Sequence, residues 1–174
     1  GDIASFTANN LGAVPPTATI TVTPTYENNG VSCSGTSQEF TITVNPLPAG
    51  QLSGSAVICP GDNTDLSINI TSGVSPFDVE LSDGKVVSDY TTNDPIPVSP
   101  VTDTEYTIVS MSDANGCEVT APVVNLSGSA LVEVRTVPEI TLQPTDTETC
   151  ELKNVSFTIE TGDTDNPMIQ WYED

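Results

Sequence analysis

Apolar and polar residues alternate one by one along six stretches of the chain. The apolar members are Ala18, Ile20 and Val22; Phe40, Ile42 and Val44; Leu66, Ile68 and Ile70; Phe77, Val79 and Leu81; Ala130, Val132 and Val134; and Phe157 and Ile159. A period of two places alternate side chains on opposite faces of a strand, so that one face is buried and the other meets water. No stretch has the spacing, cap and glycine stop of an amphipathic helix. The pattern therefore predicts an all-β chain of antiparallel β-sandwich strands.

Turn-forming and proline-bearing segments separate the predicted strands. Residues 27–30, 82–84 and 113–116 carry the Asn, Asp and Gly residues that tolerate the positive φ angles of tight turns. We expect hairpin turns at these three places. Residues 45–50 and 135–138 contain proline, and each segment follows an alternating stretch. We interpret both segments as short, semi-rigid linkers between modules.

The segments beside these linkers repeat. Cys59 and Cys150 stand 91 residues apart, and each is followed by an Asn four residues later and by apolar residues seven and nine later. Cys33 and Cys117, 84 residues apart, each follow a predicted hairpin tip. Both offsets suit a β-sandwich module of about 90 residues. We therefore predict the C-terminal part of one module in residues 1–47, a complete module in 48–136, and the first strands of another in 137–174.

The charge of the chain excludes several classes of function. Its 24 Asp and Glu residues outnumber 3 Lys and Arg, the formal net charge is -21, and there is no His. Such a chain cannot neutralise phosphates and is repelled by anionic lipid, so we expect neither nucleic-acid binding nor membrane insertion. Without His, the usual bases of catalytic triads and common zinc ligands are missing. The start of the chain lacks a signal peptide, so we expect an interior piece of a secreted protein.

Several segments resemble repeats of known surface proteins. Four segments resemble the C-terminal half of the PKD-like repeats in very large surface proteins of Bacteroidota: residues 5–8, 17–24, 29–36 and 40–46. Three others are similar to the Ig-like repeats that accompany them: residues 58–61, 103–108 and 112–117. The resemblance implies tandem Ig-like and PKD-like β-sandwich modules joined end to end. It points to large type IX-secreted adhesins, including SprB-like gliding-motility adhesins, whose repeats form a stalk or filament on the cell surface.

The resemblance also implies how the cysteines pair. In such repeats the covalent tie runs from the region before the second strand to the hairpin tip near the end of the module, which here joins Cys59 to Cys117. Cys33 and Cys150 hold the matching positions of the two incomplete modules, so we expect their partners outside this segment. A secreted location permits both bonds to form.

Two aromatic residues receive structural roles by resemblance to Ig domains. Asp103 and Tyr106 resemble the tyrosine corner, in which a tyrosine hydroxyl hydrogen-bonds to the backbone where a strand begins. Trp171 lies within residues 168–172, which we interpret as the third strand of the next module. In that interpretation the Trp171 ring packs into the core of that module.

One acidic loop is a candidate calcium site. Asp163, Asp165 and Asn166 lie within four residues of one another, and calcium prefers such oxygen ligands. The loop lacks the full Asp-x-Asp-x-Asp-Gly pattern with its distant Glu, so we expect a solvated loop and keep calcium as the alternative. No cleft-forming insertion or aromatic sugar platform accompanies the acids, so a catalytic carboxylate pair is not expected. We expect no other metal and no cofactor.

These observations favour a structural segment that is not an enzyme. We expect a stalk that spaces an adhesive region away from the cell surface, with neighbouring repeats of the same polypeptide as its partners. The location implied is extracellular, with attachment to the outer membrane through other regions. Two alternatives stay open: the modules themselves bind a surface polysaccharide or protein through exposed loops, or they are accessory repeats of a secreted hydrolase. A content of only 5% aromatic residues favours the stalk.

Overall fold

The chain forms β-strands, and the described residues contain no helix. The computed structural model describes residues 5–10, 12–162 and 168–172. Its strands are β1 (Thr17–Val22), β2 (Thr25–Asn28), β3 (Val31–Ser34), β4 (Gln38–Thr43), β5 (Ala49–Ser53), β6 (Ala56–Ile58), β7 (Thr64–Ser72), β8 (Phe77–Leu81), β9 (Val86–Tyr90), β10 (Ile96–Val98), β11 (Thr104–Tyr106), β12 (Ile108–Asp113), β13 (Glu118–Thr120), β14 (Leu126–Ser127), β15 (Ala130–Val134), β16 (Ile140–Leu142) and β17 (Glu160–Thr161). The predicted all-β fold class is confirmed.

The first four strands form two small antiparallel sheets. β1 pairs with β4 along its whole length, and β2 pairs with β3 across a tight turn. At that turn Asn29 and Gly30 have φ angles of 48° and 79°, so the hairpin predicted at residues 27–30 is confirmed. Almost all side chains of these strands are exposed. This part therefore has little core of its own among the described residues.

Strands β5 to β15 form a β-sandwich. One layer is a sheet with the order β10-β7-β5-β14. The other layer consists of the sheets β13-β12-β8-β9 and β11-β15-β6, which are joined because β11 and β12 are consecutive parts of one extended stretch. Hairpin turns at Gly84 and Gly116, with φ angles of 84° and 75°, confirm the two remaining turn predictions.

The buried apolar side chains of the described residues form one cluster, which lies within this sandwich. The alternation is clearest in β8, where Phe77, Val79 and Leu81 are buried while Asp78 is exposed. The cluster consists of Leu52, Ile58, Leu66, Ile68, Phe77, Val79, Leu81, Tyr90, Ile96, Val98, Tyr106, Ile108, Met111, Val119, Ala130 and Val132. Burial of these side chains is the main term that stabilises the fold.

The sandwich has two distinct ends, which we name after their cysteines. The stretch from β11 to β12 runs the length of the sandwich, and Cys117 lies just beyond the turn at its far end, the Cys117 end. At its near end Val134 pairs with Ile58, and Cys59 follows directly, so we name this the Cys59 end.

The chain enters and leaves the sandwich at opposite ends. At the Cys117 end Ala49 pairs with Ser72, and the backbone of Pro48 lies against Gly73. At the Cys59 end the Arg135 N–H donates to the Ile58 carbonyl at 2.9 Å, and the chain then departs. A pull on the two flanking segments therefore acts along the long axis of the sandwich.

The first predicted linker is more tightly packed than expected. Pro46 and Pro48 are buried, and Ala49 already belongs to β5. The segment is therefore partly built into the sandwich, and the rigid Pro48 residue fills space beside Gly73. Residues 135–138 are exposed and lie outside any strand, as expected of a connecting segment. The module boundaries at residues 47 and 136 stay a prediction.

The last part of the described chain has less strand than the alternation predicts. Phe157 and Ile159 lie outside any strand, and only Glu160–Thr161 pairs with Ile140–Leu142. A strand requires a neighbour for its backbone groups, and the described residues offer β17 only this short one. The predicted strand at residues 157–159 is therefore wrong in position.

Candidate functional site

A buried carboxylate holds the Cys117 end together. Asp113 is only 7% exposed. Its Oδ1 accepts hydrogen bonds from the Asn115 and Cys117 N–H groups at 3.0 Å each, and its Oδ2 accepts from the Val74 N–H at 3.1 Å. These bonds offset the cost of burying the carboxylate and fix the β12–β13 turn to the loop before β8.

From the sequence, Asp113 is expected only as a turn residue. Aspartate at the first position of a turn commonly accepts from the following backbone N–H groups, so two of its three bonds follow a local rule. The bond to Val74 joins residues 39 positions apart, and only the fold brings them together.

A second carboxylate ties the strands at the Cys59 end. The Asp103 Oδ1 accepts from the Val134 N–H at 2.7 Å, which joins the start of β11 to the end of β15. Nearby, the Ser82 hydroxyl accepts from the Thr107 N–H at 3.1 Å and donates to the Glu105 carbonyl at 3.2 Å. Asp103 therefore acts on the backbone directly and not through Tyr106.

The structure does not show the tyrosine corner predicted at Tyr106. Tyr106 is only 3% exposed, yet among the described residues its hydroxyl has no hydrogen-bond partner. The backbone amides next to it are already taken, because Ser82 and Asp103 accept from Thr107 and Val134. Burial, and then the Asp83 carboxylate, raise the pKa of Tyr106 above its usual value.

Tyr90 makes the kind of bond that was expected of Tyr106. Its hydroxyl accepts from the Ile68 N–H at 2.8 Å and donates to the Asp94 carbonyl at 2.9 Å. β7 pairs with β10 only from Thr64 to Leu66, so Tyr90 takes the place of a neighbouring strand beyond that point. Burial is the main cause that raises the pKa of Tyr90. A tyrosine at the end of a predicted strand is the one sequence feature that points to this role, and it is not specific.

The disulfide predicted between Cys59 and Cys117 is not formed, since all four cysteines are free. Cys59 and Cys117 lie at opposite ends of the sandwich, separated by a stretch of about ten strand residues. At about 3.3 Å per residue this is about 30 Å. A disulfide needs Cα atoms within about 7 Å, so the strand arrangement in this structure does not bring the two thiols within bonding distance.

The four thiols differ in their exposure to solvent. Cys33, Cys59 and Cys150 are exposed, while Cys117 is half-buried. Burial, and then the Asp113 carboxylate, raise the pKa of the Cys117 thiol. The expectation that Cys33 and Cys150 pair with cysteines outside this segment stays a prediction.

Trp171 is not packed into a core among the described residues. It is 59% exposed, and residues 168–172 form no strand. Its ring contacts Phe157, with the two centroids 6.3 Å apart and the planes inclined at 39°. This pair is the only ring contact found in the described part of the chain, and it holds the last described segment against residue 157.

The predicted calcium ligands lie outside the described residues. This applies to Asp163, Asp165 and Asn166 alike. Within the described ranges, no three Cys, Asp or Glu side chains come close enough together to hold a metal ion. No described segment forms a helix that is long and apolar enough to cross a membrane.

A solvent-open hollow lies between the β8–β9 turn and the loop before β11, at the Cys59 end. It has a volume of about 470 Å³ and is lined by Asp83, Lys85, Pro97, Val98, Ser99, Pro100, Val101, Thr102, Thr104 and Tyr106. The Lys85 ammonium donates to the Pro97 carbonyl at one side of it. The side chain of Tyr106 is the most deeply buried group that reaches this space and has a free polar atom.

Comparison with known proteins adds no relative. A scan against protein-family models, a search of curated proteins and a search of solved structures each found no match to this chain.

Proposed function

We propose that this chain is a structural segment of a large extracellular adhesin, a stalk or filament that carries tension and is not an enzyme. In this proposal its modules are strung end to end, and their partners are neighbouring modules of the same polypeptide. Secretion to the cell surface, attachment through other regions and relationship to PKD-like and SprB-like gliding adhesins belong to the same proposal. The resemblance of its segments to such repeats supports them.

The observation that carries the proposal is the parallel pairing of β6, the second strand of the sandwich, with β15, its last strand. β6 and β15 pair in parallel, with Ala56, Val57 and Ile58 opposite Val132, Glu133 and Val134. The chain enters at the Cys117 end and leaves at the Cys59 end. Tension therefore draws β6 and β15 past each other and loads their hydrogen bonds together, whereas a peeling geometry would break them one at a time.

The surface chemistry also suits a stalk. A net charge of -21 opposes close association between chains and keeps a long array soluble. Hydrogen bonds of Tyr90, Asp103 and Asp113 tie strands and loops together at three places, which supports a module that keeps its shape under tension.

The test is to pull the chain by its two ends in a single-molecule force experiment. The Ile58 carbonyl accepts from the Arg135 N–H, and in a parallel ladder the N–H groups of residues 56 and 58 then point at β15. Ala56→Pro removes one of these donors, so we expect the sandwich to unfold at a clearly lower force. Val57→Pro is the matched control, because its N–H points to the open side of an edge strand, where proline is tolerated.

Two results would contradict the proposal. One is a wild-type chain that extends without a distinct unfolding force peak from the sandwich. The other is a peak force that Ala56→Pro and Val57→Pro lower equally, since the β6–β15 pairing would then not bear the load. Far-ultraviolet circular dichroism of both variants confirms that each is folded before it is pulled.

A further inference from the structure

The hollow at the Cys59 end has the features of a small binding site. Its volume of about 470 Å³ falls within the range of about 300–1,000 Å³ that is usual for ligand pockets. Val98 and two prolines supply apolar walls, and the hydroxyls of Ser99, Thr102 and Thr104 lie around them. The proposed stalk function does not use this space, and the inference does not depend on that function.

The hydroxyl of Tyr106 is a second feature that points to a ligand in the hollow. Tyr106 is only 3% exposed. Among the described residues its hydroxyl has no hydrogen-bond partner. Every side-chain nitrogen or oxygen atom there that is completely shielded from solvent does have a partner. The hydroxyl must therefore keep access to solvent, and the hollow that Tyr106 lines is where that access lies. A buried tyrosine usually finds a hydrogen-bond partner, so this one is poised for a partner from outside.

The chemistry of the walls narrows the class of ligand. An anion is disfavoured by the net charge of -21 and by Asp83 at the rim. A metal ion needs several oxygen ligands of high charge, and Asp83 is the one carboxylate that lines the hollow. An extended peptide would add to the edge strand β10, but Pro97 removes a backbone donor there and Lys85 occupies its carbonyl.

We propose that this hollow binds one ring of a neutral carbohydrate. A sugar ring carries hydroxyls that both donate and accept, which matches the Tyr106 hydroxyl and the Ser99 and Thr104 hydroxyls. Its less polar face can lie on Pro97 and Pro100. The shallow, open shape indicates weak binding to each module, and repetition along an array would raise the overall avidity.

The test is a nuclear magnetic resonance titration of the whole 174-residue chain. Glucose, galactose, mannose and N-acetylglucosamine are added separately, and backbone amide shifts are followed at Val98, Thr104 and Tyr106. We expect saturable shifts at these residues with at least one sugar. Tyr106→Phe should weaken that binding about fivefold, the loss expected of one hydrogen bond. Tyr26→Phe is the matched control, because Tyr26 is exposed and lies far along the chain.

The remaining outcomes overturn the proposal. Shifts that rise linearly with every sugar indicate a solvent effect and no site. Saturable binding that Tyr106→Phe leaves unchanged places the ligand elsewhere. Binding of a neutral acetylated pentapeptide at the same amides, with no response to the four sugars, would show a peptide site instead. The stalk proposal is unaffected by any of these results, because it rests on the force measurement.

Discussion

At the scale of single residues, the two buried tyrosines of the sandwich differ in what their hydroxyls bind. Tyr90 and Tyr106 are 2% and 3% exposed. The Tyr90 hydroxyl bonds to the backbone at Ile68 and Asp94, whereas the Tyr106 hydroxyl has no partner among the described residues and Tyr106 lines the hollow. The same substitution at the two positions therefore separates a structural hydroxyl from one that is free to bind a ligand.

We predict that Tyr90→Phe lowers the free energy of unfolding by about 1–3 kcal/mol, because it leaves the Ile68 N–H buried without a partner. Tyr106→Phe should change it by less than about 0.5 kcal/mol, since the described residues give its hydroxyl no bond to lose. Urea denaturation followed by circular dichroism measures both values. If Tyr106→Phe lowers the free energy of unfolding more than Tyr90→Phe does, the Tyr106 hydroxyl forms the structural hydrogen bond and the role assigned to Tyr90 is refuted.

At the scale of elements, the last strands cross between the two layers of the sandwich. β14 pairs with β5 in one layer, and β15 pairs with β6 and β11 in the other. Gly128 makes the crossing, with a φ angle of 76°. A Cβ atom at this position would lie 2.3 Å from the Leu52 carbonyl oxygen, which is backbone and cannot move aside. Only glycine therefore permits so close an approach.

We predict that Gly128→Ala lowers the free energy of unfolding by about 3 kcal/mol or more, as the sum of the positive φ angle and the overlap. Gly116→Ala is the matched control: its φ angle is 75°, and nothing lies within 4 Å of the added Cβ. It should cost only about 1 kcal/mol. Thermal and urea denaturation of both variants measure the difference. Equal losses would show that the chain does not cross tightly over β5.

The elements that the sequence predicts well are those with a local cause. The alternation in β8 predicts which face of the strand is buried. The Asn-Gly and Asp-Gly pairs predict turns, because few other residues tolerate the backbone angles that those turns require. The role of Tyr90 has no local cause, because Ile68 lies 22 residues away and meets it only in the folded sheet. The sequence does not predict the separation of Cys59 from Cys117 for the same reason. The number of residues between two positions does not determine at which end of a sandwich each one lies.

At the scale of the whole molecule, self-repulsion is the dominant electrostatic term. The chain carries a net charge of -21, and Arg135–Glu133 is the one ion pair found in the described part of the chain. Exposed pairs of this kind contribute little to stability. Most carboxylates are therefore balanced only by solvent ions. Raising the salt concentration from about 0.01 M to about 0.1 M shortens the screening length from about 30 Å to about 10 Å, which weakens this repulsion.

We predict that the melting temperature rises by a few degrees over this range of sodium chloride, and that calcium and magnesium at matched ionic strength act alike. Scanning calorimetry measures each curve. A large stabilisation by micromolar calcium alone would instead require a dedicated site, and the loop with Asp163 and Asp165 is where the sequence offers one. Removing two charges there with Asp163→Asn and Asp165→Asn should then abolish the calcium effect. Asp146→Asn with Glu148→Gln removes the same charge elsewhere in the chain, at two exposed residues, so an equal loss in that control would assign the effect to net charge and not to a site.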